Sequence, residues 1–468
     1  MRRTFAAFAL LAVSPALLGA CSDEESSQRP PNERLAPVVV DTDMGQDDMM
    51  ALLYLLQRPD VRIEAITISG TGLAHCSAGV DIALSLLDVA NAESDVPVAC
   101  GPEEPLPSES ALHGAFPEEW RRATDAAYGI ELVASERRPS TLDGPELLRA
   151  AVAEAEAPVR LLTLGPLTNV ALAMRGDPAF VEGLDGVTIM GGAVDVPGNV
   201  FDNDVAEFNI WVDPVAAREV LDSGVEITLV PLDATNEVPV TAFFADALAR
   251  THVTPEAETV NALFEVQPSL VSGSYFFWDP LAAALLVDPD LATVEPRTIS
   301  VLEGARQTHG KTADDPNGAP VNVAVGADPL AFEQEFLSVL NGGANVAPMR
   351  PDHDAVIEIG ETGCAYAGPT ELPEGLAAVQ MDNESRAAWN AIVVRIDPDH
   401  TFGDLARLVR TFEPTDEPPP WIIFVTESPS APGTSALAPW PLEAGRYGVL
   451  CHRDPPWTLQ PVAEIVAG

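Results

Sequence analysis

From Val38 to about Leu340, short β-branched runs alternate with longer helical stretches, and this alternation constrains the fold more than any other feature. The runs include Pro37-Val38-Val39-Val40, Ile63 to Ile68, Val159 to Leu164, Val187 to Met190 and Val225 to Val230. Such apolar runs are stable only when both faces are covered. They predict an α/β fold with a mainly parallel sheet and flanking helices. In open sheets of this kind ligands sit at the carboxyl ends of the strands, so the polar residues directly after each run are the first candidates for chemistry. Here those residues are unusually acidic.

The segments outside this region read differently. Residues 1–21 open on Met1-Arg2-Arg3, run through an apolar stretch from Phe5 to Leu18 and close on Leu18-Gly19-Ala20-Cys21. This is too short to span a bilayer and has the plan of a secretory signal. Its last four residues resemble a bacterial lipobox, which implies a lipid anchor at Cys21 and an exported protein held on a membrane, periplasmic or at the cell surface. Residues 22–36 are polar and Pro-containing, as expected of a disordered tether. The catalytic candidate region is then 37–345, with Asn341 to Asn345 as a linker.

After about Asp354 helical stretches become scarce and Pro and Gly recur. Runs such as Ala391 to Ile396 and Trp421 to Val425 predict a small β-sandwich over 355–468, with one short helix between Thr401 and Arg410. The region loosely resembles a cupredoxin. It lacks the means to hold copper, because His452 directly follows Cys451 and no Met follows Met381. An accessory domain is expected. Removing Cys21 leaves Cys76, Cys100, Cys364 and Cys451, which fall by region into the pairs Cys76–Cys100 and Cys364–Cys451.

Composition excludes some functions. With 71 acidic against 25 basic residues the chain carries a formal charge of -46, which argues against a nucleic-acid polymer as partner. Lys311 is its sole lysine, which leaves little room for Schiff-base chemistry or lysine-cradled phosphates.

The most informative stretch is Val38-Val39-Val40-Asp41-Thr42-Asp43-Met44-Gly45-Gln46-Asp47-Asp48, a buried-type strand running into four carboxylates. Such acids repel one another unless a cation or a hydroxyl-rich ligand is bound. Hard oxygen donors without His or Cys favour calcium or magnesium, and a flexible multi-carboxylate cage favours calcium. An acidic helix start would use Asp47 or Asp48 but leaves Asp41 and Asp43 without a role.

The stretch resembles the DTDxGxDD signature of the calcium-dependent, inosine-uridine preferring ribonucleoside hydrolases. Further matches follow in order: Leu164 to Asn169, Met190 to Ala193, Gly198-Asn199, Ala206 to Ile210 with Asp213-Pro214, and Asp279 to Ala282. The resemblance spans about residues 37–340. It implies that Asp43, Asp48 and Asp279 ligate calcium with the backbone carbonyl of Leu164, and that Asp43 deprotonates the attacking water. It further implies that Asp47, Asn199, Glu207 and Asn209 hydrogen-bond ribose hydroxyls and that Asp41 fixes the loop. The expected activity is hydrolysis of nucleosides to ribose and free base, for scavenging such as purine salvage. A non-catalytic nucleoside- or ribose-binding lipoprotein is the alternative, and a homo-oligomer stays open.

Two positions depart from the family pattern. Trp278 stands where many members carry a His that protonates the leaving base, and Thr71 stands where an Asn would touch ribose. Trp278 is expected to stack on the base instead. His75 and His113 are candidate replacement proton donors.

Overall fold

The computed structural model describes residues 36–92, 96–108, 114–201, 203–344, 353–383, 385–412, 418–430, 435–453 and 458–468. The signal, the tether up to Leu35, Asn345 of the linker and His113 lie outside them. The central sheet has the order β10-β9-β11-β6-β5-β4-β1-β2-β3. Its parallel core comprises β1 (Ala36–Thr42), β2 (Val61–Ile68), β3 (Val98–Cys100), β4 (Val159–Thr163), β5 (Leu184–Met190) and β6 (Ile227–Val230). A two-stranded sheet, β7 (Pro239–Thr241) and β8 (Ser272–Phe276), stands apart from it. One side of the central sheet ends in β9 (Ala292–Leu302), β10 (Lys311–Asp314) and β11 (Ala319–Ala327), with β9 antiparallel to both neighbours.

The β-branched run explains the place of β1. Val40 pairs with Ile66 on one side and Leu162 on the other. Val38, Val40, Ile66 and Leu162 belong to one apolar core, while Val39, Ala65 and Leu161 belong to the core on the opposite face. Successive side chains of a strand point to opposite faces, so a strand apolar at every position fits only where both faces are covered. Helices α1 (Gln46–Gln57), α2 (Cys76–Val89) and α3 (Glu118–Asp125) follow the first strands. The β9–β11 meander gives no such signal. Residues 293–296 of β9 are exposed and Pro296 interrupts its donors.

The C-terminal strands form separate sheets. Gly363–Ala367, Ala355–Gly360, Gly375–Asn383 and Ser435–Leu442 make a four-stranded sheet. Glu371–Leu372, Thr458–Ala467, Gly445–Arg453, Trp389–Ile396 and Ile422–Ser430 make a five-stranded one. Their facing sides share a core that includes Ile357, Val379, Trp389, Val393, Trp440 and Val449. The short helix spans Phe402–Val409, and Thr401 closes a capping box with Asp404. Strand Ile422–Ser430 also packs against β8. Both disulfides have the expected pairing, Cys76–Cys100 and Cys364–Cys451.

Candidate active site

The acidic stretch turns from β1 into α1 at the carboxyl end of the sheet. Met44 takes a left-handed backbone (φ 63°), and Gly45 is the N-cap of α1. The Thr42 hydroxyl donates to Asp48 Oδ1 and accepts the Met44 N–H at 3.1 Å, while the Asp43 N–H reaches the same Asp48 oxygen at 3.1 Å. Asp48 thus holds the turn as well as facing the cluster. Asp41 is fully buried, and its Oδ1 accepts from Thr67 Oγ1 at 2.5 Å and Asn169 Nδ2 at 2.7 Å. Its Oδ2 has no partner among the described residues, and burial pushes the carboxyl up to about 7.

Oxygens of Asp47, Asp48 and Asp279 lie within 4.8 Å of one another, and all three residues are buried. The resemblance puts Asp43 in that trio and Asp47 on ribose. Asp43 stands directly beside the trio, its carboxyl hydrogen-bonded to that of Asp48 while its Oδ2 accepts the Leu73 N–H at 3.2 Å, so the cluster joins all four acids. Asp43 is tightly enclosed, since a Cβ at Gly72 would sit 2.3 Å from its Oδ2 and one at Gly165 would sit 2.8 Å from its Cβ. Burial first, then the charge of Asp48, holds the carboxyls of Asp43, Asp47 and Asp279 above their ordinary range. Converging buried carboxylates that resist ionisation are a site for a hard divalent cation, whose charge replaces the protons they would otherwise keep.

A second group of residues faces this cluster from the loops after β4 and β5. Leu164 leaves β4 directly after Thr163, and its carbonyl accepts from Asn209 Nδ2 at 3.0 Å. Glu207 is the N-cap of helix Phe208–Val212 and accepts the N–H groups of Gly192 (3.0 Å), Asn209 (2.8 Å) and Ile210 (3.2 Å). Asn199 Oδ1 accepts the Phe208 N–H at 3.1 Å. These three side chains therefore brace the loops that carry them, a task the sequence does not announce. Thr71 bonds the hydroxyls of Ser69 (3.2 Å) and Thr168 (3.1 Å).

Trp278 opens the helix Trp278–Val287 that carries Asp279. It is partly buried, its indole N–H has no partner among the described residues, and Tyr275 meets it edge-on at 4.6 Å between ring centroids. The Tyr275 hydroxyl donates to Asp47 Oδ1 at 2.9 Å. Burial and the charge of Asp47 raise its phenol well above the usual range, so it stays a donor. Tyr128, left-handed at φ 54°, is also raised by burial, and its phenol lies in the field of Asp47, Asp43 and Asp48. Tyr275 and Tyr128 escaped the sequence reading. The run Tyr275-Phe276-Phe277-Trp278 next to Asp279 was the available signal for the first.

The profile of the inosine-uridine preferring nucleoside hydrolases matches residues 38–334. The non-specific ribonucleoside hydrolase RihC of Klebsiella pneumoniae (strain 342) is 32% identical over 300 residues, covering 62% of this chain and 93% of that protein. RihC of Escherichia coli (strain K12) is 32% identical over 314 residues, covering 65% and 98%. Among solved structures, the plant nucleoside hydrolase PpNRh1 superposes with a TM-score of 0.57 at 26% identity, covering 66% of this chain and 99% of that one. A purine-preferring ribonucleoside hydrolase from Gardnerella vaginalis gives 0.55 at 25% identity, covering 66% and 100%. With its acidic turn, Glu207 loop and Asp279 helix in one site, this chain belongs to the inosine-uridine preferring nucleoside hydrolase family.

Proposed function

We propose that this nucleoside hydrolase is calcium-dependent, cleaves the N-glycosidic bond of ribonucleosides to ribose and free base, and uses Asp43 to take the proton of the attacking water. The observation that carries the reading is the convergence of Asp47, Asp48 and Asp279 beside Asp43 at the carboxyl end of the sheet. Asp43, Asp48 and Asp279, with the Leu164 carbonyl, would hold the ion, and Asp47 lies within reach of the same place. Calcium there supplies positive charge that fixes vicinal ribose hydroxyls and a water.

Everything else falls to the chain's own residues. Asp43 is enclosed by Gly72 and Gly165, so its carboxylate has one orientation and stands ready to accept a proton. As the bond breaks, positive charge grows on the sugar, and the surrounding carboxylates stabilise it electrostatically. Asp47, Asn199, Glu207 and Asn209 are the candidates for orienting ribose, since a carboxylate or amide oxygen that already accepts one N–H keeps a further lone pair. Trp278 offers an aromatic face to the base. Its place in the sequence also lends support to a binding-only reading, because an indole cannot protonate a leaving group.

The leader supports export as a lipoprotein anchored at Cys21, and two disulfides suit an oxidising compartment. Incubating the protein with a nucleoside panel and calcium, and following reducing sugar, decides between turnover and binding. Saturable binding without sugar release would establish the binding-only reading.

A further inference from the structure

We propose that His75, held by Asp125, is the acid that protonates the departing base. The inference rests on the hydrolase reading and assigns the one role for which Trp278 is unsuited. His75 lies at the end of the loop that encloses Asp43: Gly72 presses on the Asp43 carboxylate, the Leu73 N–H bonds its Oδ2, and the Ala74 N–H bonds its carbonyl at 2.9 Å. The next residue is His75. Asp125, at the end of α3, accepts twice from it, from the backbone N–H at 3.0 Å and at Nδ1 at 2.7 Å. Three residues on is Tyr128, whose phenol lies in the field of the same acidic cluster. Both halves of the pair thus hang from segments that border the site.

A carboxylate on Nδ1 fixes the ring's orientation and engages that nitrogen, so Nε2 is the atom through which a proton would pass to the base. The ring is only about a third exposed, with a side-chain accessibility of 36%. Its anchorage is rigid, because the disulfide of the adjacent Cys76 ties the start of α2 to the end of β3. Among the described residues, Asp125 of α3 bonds His75 itself, Arg121 of α3 bonds the loop before it, and Glu103 accepts the N–H of the next residue, Cys76, at 2.8 Å. Arg121 is engaged by the carbonyls of Gly70 and Ala74. The Tyr275 hydroxyl, another donor at the acidic cluster, is committed to Asp47.

In the step itself the C1′–N bond breaks with its electron pair going to the base, and Nε2–H delivers a proton to a base ring nitrogen. The water oxygen bonds C1′ and its proton passes to Asp43. Exchange through solvent then returns one proton from Asp43 to His75, so that nucleoside and water become ribose and neutral base.

The test uses the full chain with calcium and two substrates, inosine and 4-nitrophenyl β-D-riboside, whose nitrophenolate departs without protonation. His75→Gln should lower kcat on inosine by about 100-fold or more, the range of general acid catalysis, and leave the nitrophenyl riboside within about threefold. Asp125→Asn should lower kcat on inosine and spare the nitrophenyl riboside, because the ring loses the partner that orients it. Equal losses on both substrates would mean that the pair merely fastens α3 to α2, and unchanged inosine turnover would remove the assignment. Wild-type protein that cleaves neither substrate would overturn the hydrolase reading itself, and this proposal with it.

Discussion

Tyr275 donates its hydroxyl hydrogen to Asp47 Oδ1 across 2.9 Å, linking two residues 228 positions apart in the chain. The bond joins β8 to the first turn of α1, and it commits one carboxylate oxygen of the cluster before any ligand arrives. Tyr275→Phe removes that donor and leaves Asp47 harder to ionise. A hydrogen bond to a charged group is worth about 1.5–3 kcal/mol, so kcat/KM for ribonucleosides should fall about 10- to 100-fold. Steady-state kinetics at saturating calcium check this, and an unchanged kcat/KM would make the contact incidental.

The metal-free protein should lose stability as pH rises. Burial holds Asp41 and Asp47 at about 7 in the folded chain, above the value of about 3.9 expected for an unfolded Asp. Between these values the folded form binds more protons than the unfolded one, so the stability present below pH ~4 declines through pH ~7. Calcium competes with those protons and should raise the melting temperature more at about pH 7.5 than at about pH 5. Melts of chelated and calcium-loaded protein at both pH values decide it, and Asp47→Asn should flatten the slope. A calcium effect that is equal at both would mean that the ion does not displace protons from this cluster.

Glu207 should be a stability residue as well as a site residue. Glu207→Ala strips acceptors from three backbone N–H groups, two at the start of helix Phe208–Val212 and that of Gly192, which by capping and buried-amide costs amounts to about 2 kcal/mol or more. Glu207→Gln keeps an oxygen and should cost less. Denaturant titration separates the two, and equal midpoints for wild type and both variants would refute the brace.

How much of this was legible beforehand differs from residue to residue. The run Val38 to Val40 could only be a strand covered on both faces, and the acids after it had to lie at the sheet's carboxyl end. Helix Phe402–Val409 announced itself through Thr401 and Asp404. Tyr128 did not, since its place depends on a left-handed turn at Ala127 and Tyr128 with no glycine to signal it before Gly129. The bracing work of Glu207 and Asn199 was hidden because an acceptor looks the same in sequence whether it meets a ribose hydroxyl or a backbone amide. Grouping Asp47 with Asp48 and Asp279 needed the helix of Asp279 packed against α1, a contact between segments more than two hundred residues apart.

Trp278 should discriminate between bases. Its edge contact with Tyr275 leaves an indole face as the platform, and aromatic stacking on a base is worth about 1–3 kcal/mol. Trp278→Ala should therefore lower kcat/KM for inosine or guanosine more than for uridine, by about tenfold in relative terms. Trp278→His should raise turnover of nucleosides with poor leaving bases if protonation limits the rate. Identical losses on every substrate in both variants would make Trp278 packing alone.

A carboxylate cluster that needs its ion and uses Asp43 as base should hydrolyse ribonucleosides only while the metal is in place. Reducing-sugar release from inosine, measured on the protein with calcium, after exhaustive chelation and after calcium is restored, tests it most directly, with Asp43→Asn run alongside. The account predicts turnover that vanishes on chelation, returns with calcium and is absent in folded Asp43→Asn. Turnover that persists through chelation, or in Asp43→Asn at near wild-type rate, would contradict it.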